Sequence, residues 1–135
     1  MKISPNAPCP CHSGKKYKQC CQPYHKGILP ATALLLMRSR YSAYALGLAD
    51  YIIKTTHEEN PDFTTDTAKW RESILEFCRT TRFEGLRIIG FIDGENEAFV
   101  TFEAHLSHGI MREKSRFLKE NGRWLYESGD FSQTD

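Results

Sequence analysis

Four cysteines crowd into thirteen residues near the start of the chain, in Cys9-Pro10-Cys11-His12-Ser13-Gly14-Lys15-Lys16-Tyr17-Lys18-Gln19-Cys20-Cys21. One pair is separated by a single residue and the other is adjacent, with eight residues between the pairs. A short loop that gathers four soft thiolates suits a tetrahedral zinc ion, and four protein ligands leave no open position for catalysis. Ser13-Gly14 supplies a turn that folds one pair back on the other. The metal ligands expected are therefore Cys9, Cys11, Cys20 and Cys21, holding one structural zinc ion. His12 and His25 are nearby, but four cysteines already fill the tetrahedron, so both are expected at the surface.

The fifth cysteine, Cys78, lies far from the cluster and is expected as a small buried hydrophobe. A disulfide framework would spread its cysteines along the chain; this clustering points to metal in a reducing cytoplasm. The first residues contain no apolar signal-peptide core, and no apolar run approaches the ~20 residues that span a bilayer. At 135 residues with 40% hydrophobic content, the chain can bury one ordinary core and carry a small appendage.

Charge is unevenly placed. Residues 1–26 hold five lysines and no acid, giving +5, so with +1 overall the remainder carries −4. Four thiolates and one zinc ion would bring the arm to about +3. Lys15, Lys16 and Lys18 then have two roles to choose between. They offset the anionic metal centre, or they form a basic face for an acidic protein patch, RNA or anionic lipid.

Pro23, Gly27 and Pro30 punctuate the chain, which places an arm over 1–28 and a second domain over 29–135. From Thr32 the pattern becomes helical. Leu34, Met37, Tyr41, Tyr44, Ala45 and Leu48 recur at three- and four-residue steps, with Thr32 as N-cap, Gly47 as C-cap, and Arg38 and Arg40 on or near the polar side. Asp50 is expected to cap a short helix ending near His57. Asp66 opens a third helix with Trp70, Ile74, Phe77 and Cys78 on one stripe.

Beyond Arg82 the period switches to two, giving strands over 86–92, 97–106, 112–120 and 123–128. In the second strand Ala98, Val100, Phe102, Ala104 and Leu106 share one face; Phe99, Thr101, Glu103 and His105 share the other. Asn121-Gly122 is a two-residue hairpin turn. It pairs Lys119 with Trp124, Phe117 with Tyr126 and Ser115 with Ser128 on an aromatic face that covers the helices, and Arg116 with Glu127 on the other. Helices followed by a curved antiparallel sheet make an α+β fold with the helices on one face.

The cysteine loop resembles the SEC-C zinc motif. Leu36-Met37-Arg38-Ser39-Arg40-Tyr41-Ser42-Ala43-Tyr44, with Ser115-Arg116-Phe117 and Gly122-Arg123-Trp124, resembles the bacterial YchJ-like family. The resemblance covers nearly the whole chain. It implies a SEC-C zinc-binding loop followed by a nuclear transport factor 2-like, cystatin-type cone. The motif usually has Gly where this chain has His12. The family often has Trp and His where this chain has Thr56 and Arg112, so no histidine-based site carries over.

The resemblance implies docking to export or ribosome machinery through the basic arm. It also implies a cone of the kind that supports homodimers. This favours a binding or adaptor module over an enzyme. The alternative is a small-molecule binder or enzyme with a pocket in the cone, where Tyr41, Tyr44, Glu103 and His105 could converge.

Overall fold

The computed structural model describes residues 3–132. After the cysteine loop, which includes a short 3-10 turn at Tyr17–Gln19, come α1 (Gln22–His25), α2 (Ala33–Leu46), α3 (Ala49–Lys54) and α4 (Thr67–Arg79). Four strands follow: β1 (Phe83–Ile92), β2 (Glu97–Leu106), β3 (Gly109–Glu120) and β4 (Arg123–Ser132). They form one antiparallel meander in the order β1-β2-β3-β4. The α+β expectation stands, with β1 and β3 starting three residues earlier and β4 ending four residues later than the pattern marked.

The sheet's inner face follows the alternation in β2. Ala98, Val100, Phe102, Ala104 and Leu106 join Phe117, Trp124, Leu36, Met37 and Tyr41 in the main buried cluster. A second cluster joins Ala43 of α2 to Ala49, Tyr51 and Ile52 of α3 and Trp70 and Ile74 of α4. Helix α2 thus has neighbours on most of its sides. It starts where Thr32 Oγ1 accepts from the Leu35 amide at 3.2 Å and stops at Gly47, whose φ of 71° suits glycine.

That wrapping revises the position of Arg40, expected on or near the polar side. It is buried. Its Nη1 donates to Ile52 O at 3.1 Å, Thr55 Oγ1 at 2.7 Å and Thr56 Oγ1 at 3.2 Å. Its guanidinium lies 4.7 Å from the Tyr126 ring centroid. The C-terminal end of α3 leaves carbonyls unpaired within the helix, and a planar cation with several donors satisfies them.

Helix α3 also differs from expectation. Asp50 lies inside its first turn, not at the cap, and pairs with Arg71 of α4 at 2.6 Å. The helix ends at Lys54, and the next residues run beside β4. There His57 N donates to Tyr126 O at 2.8 Å and Tyr126 N donates to Thr55 O at 2.9 Å. This short parallel pairing covers part of the edge that β4 would otherwise present. His57 is buried and pairs with Glu120. In α4 Asp66 caps as expected, accepting from Lys69 N at 3.2 Å, and Trp70 and Ile74 are buried while Phe77 stays exposed.

The Asn121-Gly122 hairpin turn has φ of 53° and 78°, as a turn with two left-handed residues requires. Register follows the sequence from Glu120↔Arg123 through Phe117↔Tyr126 and then slips by one, so Arg116 faces Ser128 and Ser115 faces Gly129. Glu127 is the extra residue of a β-bulge. The expected pairing of Ser115 with Ser128 is therefore replaced. Arg116 still reaches the Glu127 carboxylate at 3.3 Å and also holds Glu97 at 2.6 Å.

Candidate functional site

The cysteine loop is a small framework closed by backbone bonds. Cys9 N donates to Lys15 O at 2.8 Å, His12 N to Cys9 O at 3.0 Å and Lys18 N to Pro5 O at 2.9 Å. His12 and Gly14 have φ of 61° and 87°. The first is the left-handed position where the motif usually carries glycine, and histidine tolerates it better than a branched residue would. His12 is exposed, as expected, and its Nε2 lies 3.2 Å from Phe83 O.

The loop brings the four sulfurs of Cys9, Cys11, Cys20 and Cys21 within 4.8 Å of one another. A tetrahedron with metal–sulfur bonds of about 2.3 Å has edges of about 3.8 Å. The Cys11–Cys20 and Cys20–Cys21 sulfurs are 3.5 Å and 3.9 Å apart. Distance and donor chemistry both fit a metal ion held by four thiolates.

Hydrogen bonds from Cys21 and Cys9 hold the Cys11 thiol well below the usual thiol range. Cys9 is pushed up to about 12, first by its bond to Cys11, and Cys21 is pushed up for the same reason. One thiolate is stabilised by neighbours that keep their protons, and those are the protons that a metal ion would displace on binding. Arg38 of α2 adds charge at the periphery, with Nη1 donating to Cys11 O at 3.2 Å and to Cys11 Sγ at 3.8 Å. The sequence placed Arg38 on or near the polar side of its helix, and there it reaches the cysteine loop.

Cys9, Cys11 and Cys21 are buried in the same cluster as Leu36, Met37 and Tyr41. The arm is seated on α2. Cys78 is half-buried against the second cluster, away from these sulfurs, and burial pushes its thiol up. Lys15, Lys16 and Lys18 are all exposed on the loop between the cysteine pairs.

His25 is neither a ligand nor a surface residue. It is half-buried, with Nδ1 accepting from Tyr17 OH at 2.6 Å and Nε2 donating to Ser39 O at 2.8 Å. Burial lowers its pKa from 6.5, with Lys54 contributing in the same direction. Below about pH 6.5 the unfolded chain takes up a proton that the folded ring resists, so stability is full above that value and falls as the pH drops through it. In metal-saturated protein, His25→Gln is expected to lie about 1–2 kcal/mol below wild type at pH 7.5, with the gap narrowing by pH 5.5. Urea unfolding at both pH values checks this, and a gap that widens on acidification would contradict it.

The four candidate pocket residues divide between the two faces of the sheet. Tyr41 and Tyr44 line a cavity of about 240 Å³ between α2 and the inner face. Glu103 and His105 are not among its lining residues. Alternation along β2 turns them to the outer face, where Glu103 pairs with Arg87 at 3.4 Å, Arg112 at 3.3 Å and His105 at 3.2 Å. Arg87 first, then Arg112 and His105, hold the Glu103 carboxyl below its ordinary range.

The polar groups inside the cavity are instead Glu113, Ser115, Tyr126 and Arg40. Ser115 Oγ and Tyr126 OH donate to Glu113 Oε2 at 2.7 and 2.6 Å. The sequence contained a signal for this site. Stepping back by two from Phe117 through Ser115 reaches Glu113 on the core face, and a glycine within a strand, Gly129, marks a close approach.

Among the described residues no helix is long and apolar enough to cross a membrane. A family model described as YchJ, middle NTF2-like domain, matches residues 32–129, and the SEC-C motif matches residues 6–23. A UPF0225 protein of Pectobacterium carotovorum is 40% identical over 136 residues, spanning 93% of this chain and 84% of the relative. The solution structure of a SEC-C motif containing protein from Rhodopseudomonas palustris is similar at a TM-score of 0.81 and 32% identity, covering 94% of this chain and all (100%) of that one. The crystal structure of a SEC-C motif containing protein from Psychrobacter arcticus aligns at 0.72 with 28% identity, covering 94% and 84% of the two chains. With the domain model over α2 to β4, the motif over the cysteine loop and a relative matched along most of both chains, this protein belongs to the YchJ-like UPF0225 family of bacterial proteins.

Proposed function

We propose that this is a cytoplasmic zinc-binding docking module, in which the ion fixes a basic loop that contacts an acidic surface of the export or ribosome machinery. The observation that carries this reading is the placement of Lys15, Lys16 and Lys18. All three side chains are exposed, and their backbones are tied into the loop that gathers the sulfurs. A zinc ion there would hold three cations on a pre-organised backbone, which lowers the entropic cost of binding. The four-thiolate donor set leaves no position for substrate, which favours binding over zinc catalysis. The choice of partner rests on the resemblance of the cysteine loop to the SEC-C motif.

The test is K15E/K16E/K18E, assayed by co-sedimentation with purified bacterial ribosomes and by titration with a purified export chaperone. The expected result is a loss of about tenfold or more in affinity for one of them, together with unchanged zinc content and melting temperature. Wild-type binding should weaken with added salt. Anionic vesicles form the control arm; binding confined to vesicles would replace the protein partner with a lipid surface. Absence of wild-type binding to either protein target, or binding untouched by charge reversal, would overturn the reading.

A further inference from the structure

The cavity under α2 has a polar floor and apolar walls. Its mouth is marked by the exposed residues Asp62, Phe77 and Phe131, and its inner end by the buried Glu113, Ser115 and Phe117. Its volume of about 240 Å³ is slightly below that of a drug-sized site and holds a molecule of roughly ten heavy atoms.

Glu113 is the unusual group. It is only 5% exposed, and among the described residues it forms no ion pair. Both hydroxyl donors converge on Oε2; among the described residues Oε1 receives no hydrogen bond. Oε1 is not sealed from solvent, which leaves it the carboxylate oxygen open to a donor entering the cavity. Arg40 lines the same cavity, but its Nη1 is engaged by Ile52, Thr55 and Thr56 and its guanidinium lies over the Tyr126 ring. With Glu113 on the floor and Asp62 at the mouth, the cavity has two carboxylates and one cation.

The walls present Tyr41, Tyr44 and Phe83, rings whose faces attract an ammonium, while the Tyr126 ring is taken by Arg40 and its hydroxyl by Glu113. Burial pushes the Tyr41 and Tyr44 hydroxyls up, and at Tyr126 burial and the Glu113 charge act together. The phenols thus stay neutral and Tyr126 remains a donor.

We infer that this cavity binds a small ammonium compound with an apolar body, the ammonium donating to Glu113 Oε1 and the body lying against the aromatic walls. An anionic ligand would meet the carboxylate floor. A neutral one would fill the walls and leave Oε1 without a donor.

The test uses the full, metal-loaded chain and three probes of one shape: phenethylammonium, 2-phenylethanol and phenylacetate. Binding is followed by calorimetry and by shifts of the Tyr and Phe ring resonances. Phenethylammonium is expected to bind, with the alcohol about tenfold weaker and phenylacetate weaker still. Glu113→Gln, which keeps the shape of the side chain, is expected to lose the preference for the ammonium. The comparison among probes on wild-type protein stands even if that variant fails to fold. Equal binding of ammonium and alcohol, tighter binding of phenylacetate, or no saturation below about 10 mM ammonium would overturn the inference. So would a folded Glu113→Gln that binds phenethylammonium like wild type.

Discussion

Cys20→Ser/Cys21→Ser is expected to lose its metal ion and to lower the melting temperature of the entire protein by roughly 10 °C or more. The size of the effect follows from where the cysteines sit. Cys9, Cys11 and Cys21 share a cluster with Leu36, Met37, Tyr41 and the inner face of the sheet. Tyr17 and Arg38 tie the same loop to the rest through the Tyr17–His25 and Arg38–Cys11 bonds. In the variant the buried Cys9 and Cys11 keep their places beside α2 but lose the partners that close the cluster, so the loop above α2 loses its centre.

If about 3 kcal/mol of that disruption reaches the cone, a domain of this size shifts by roughly 10 °C. Scanning calorimetry with zinc analysis of wild type, variant and chelator-treated protein provides the check. A variant that lacks metal and melts like wild type would show that the arm contributes nothing to the cone. A metal-free wild-type preparation that takes up no added zinc would refute the metal assignment.

Gly129→Ala is expected to destabilise by about 1–3 kcal/mol, a large effect for one methyl group on a strand. A Cβ at Gly129 would fall 1.9 Å from Glu113 Oε2, 2.5 Å from its Cδ and 2.7 Å from Tyr126 OH. The carboxylate cannot move aside without giving up the Ser115 and Tyr126 hydrogen bonds, each worth about 1.5–3 kcal/mol when the acceptor is charged. A contrast comes from Gly90, also in a strand, where an added Cβ meets nothing within 4 Å. Gly90→Ala should change stability by less than about 1 kcal/mol. Urea unfolding of the two variants tests the pair; equal effects would mean that Glu113 is not seated against Gly129.

The bulge at Glu127 explains why Gly129 matters. A hairpin continued without interruption would have put Ser128 opposite Ser115. The one-residue slip puts Gly129 there, leaving room for the Glu113 carboxylate. Turn chemistry at Asn121-Gly122 fixes register only near the turn. Past Phe117 the register depends on what the strand's inner face has to accommodate, and that face is completed by α2.

Local signals were sufficient where one side chain or one turn decides the matter. Thr32, Gly47 and Asp66 bound their helices through their own backbone or side-chain chemistry. Alternation along β2 separated Val100 and Phe102 from Glu103 and His105 because side-chain period in a strand is a property of the backbone. The spacing of Cys9, Cys11, Cys20 and Cys21 around a Ser-Gly turn was enough to bring four sulfurs together, since a loop of eight residues closes at small entropic cost.

Tertiary structure decided which of these faces met. Arg40 has the periodicity of a solvated residue, yet it is buried because the end of α3 offers carbonyls and β4 offers the Tyr126 ring. His25 is surrounded by Tyr17 and Ser39 because the arm folds back onto α2. Glu113 became the floor of the cavity because α2 closes over the inner face of β3. By itself the sequence determined the long helices and the strands, the caps at Thr32, Gly47 and Asp66 and the gathering of the four cysteines, each set by residues close together in the chain. Only the tertiary structure decided the burial of Arg40, the slip past Phe117 and the composition of the cavity, because each depends on groups tens of residues apart competing for the same interior space.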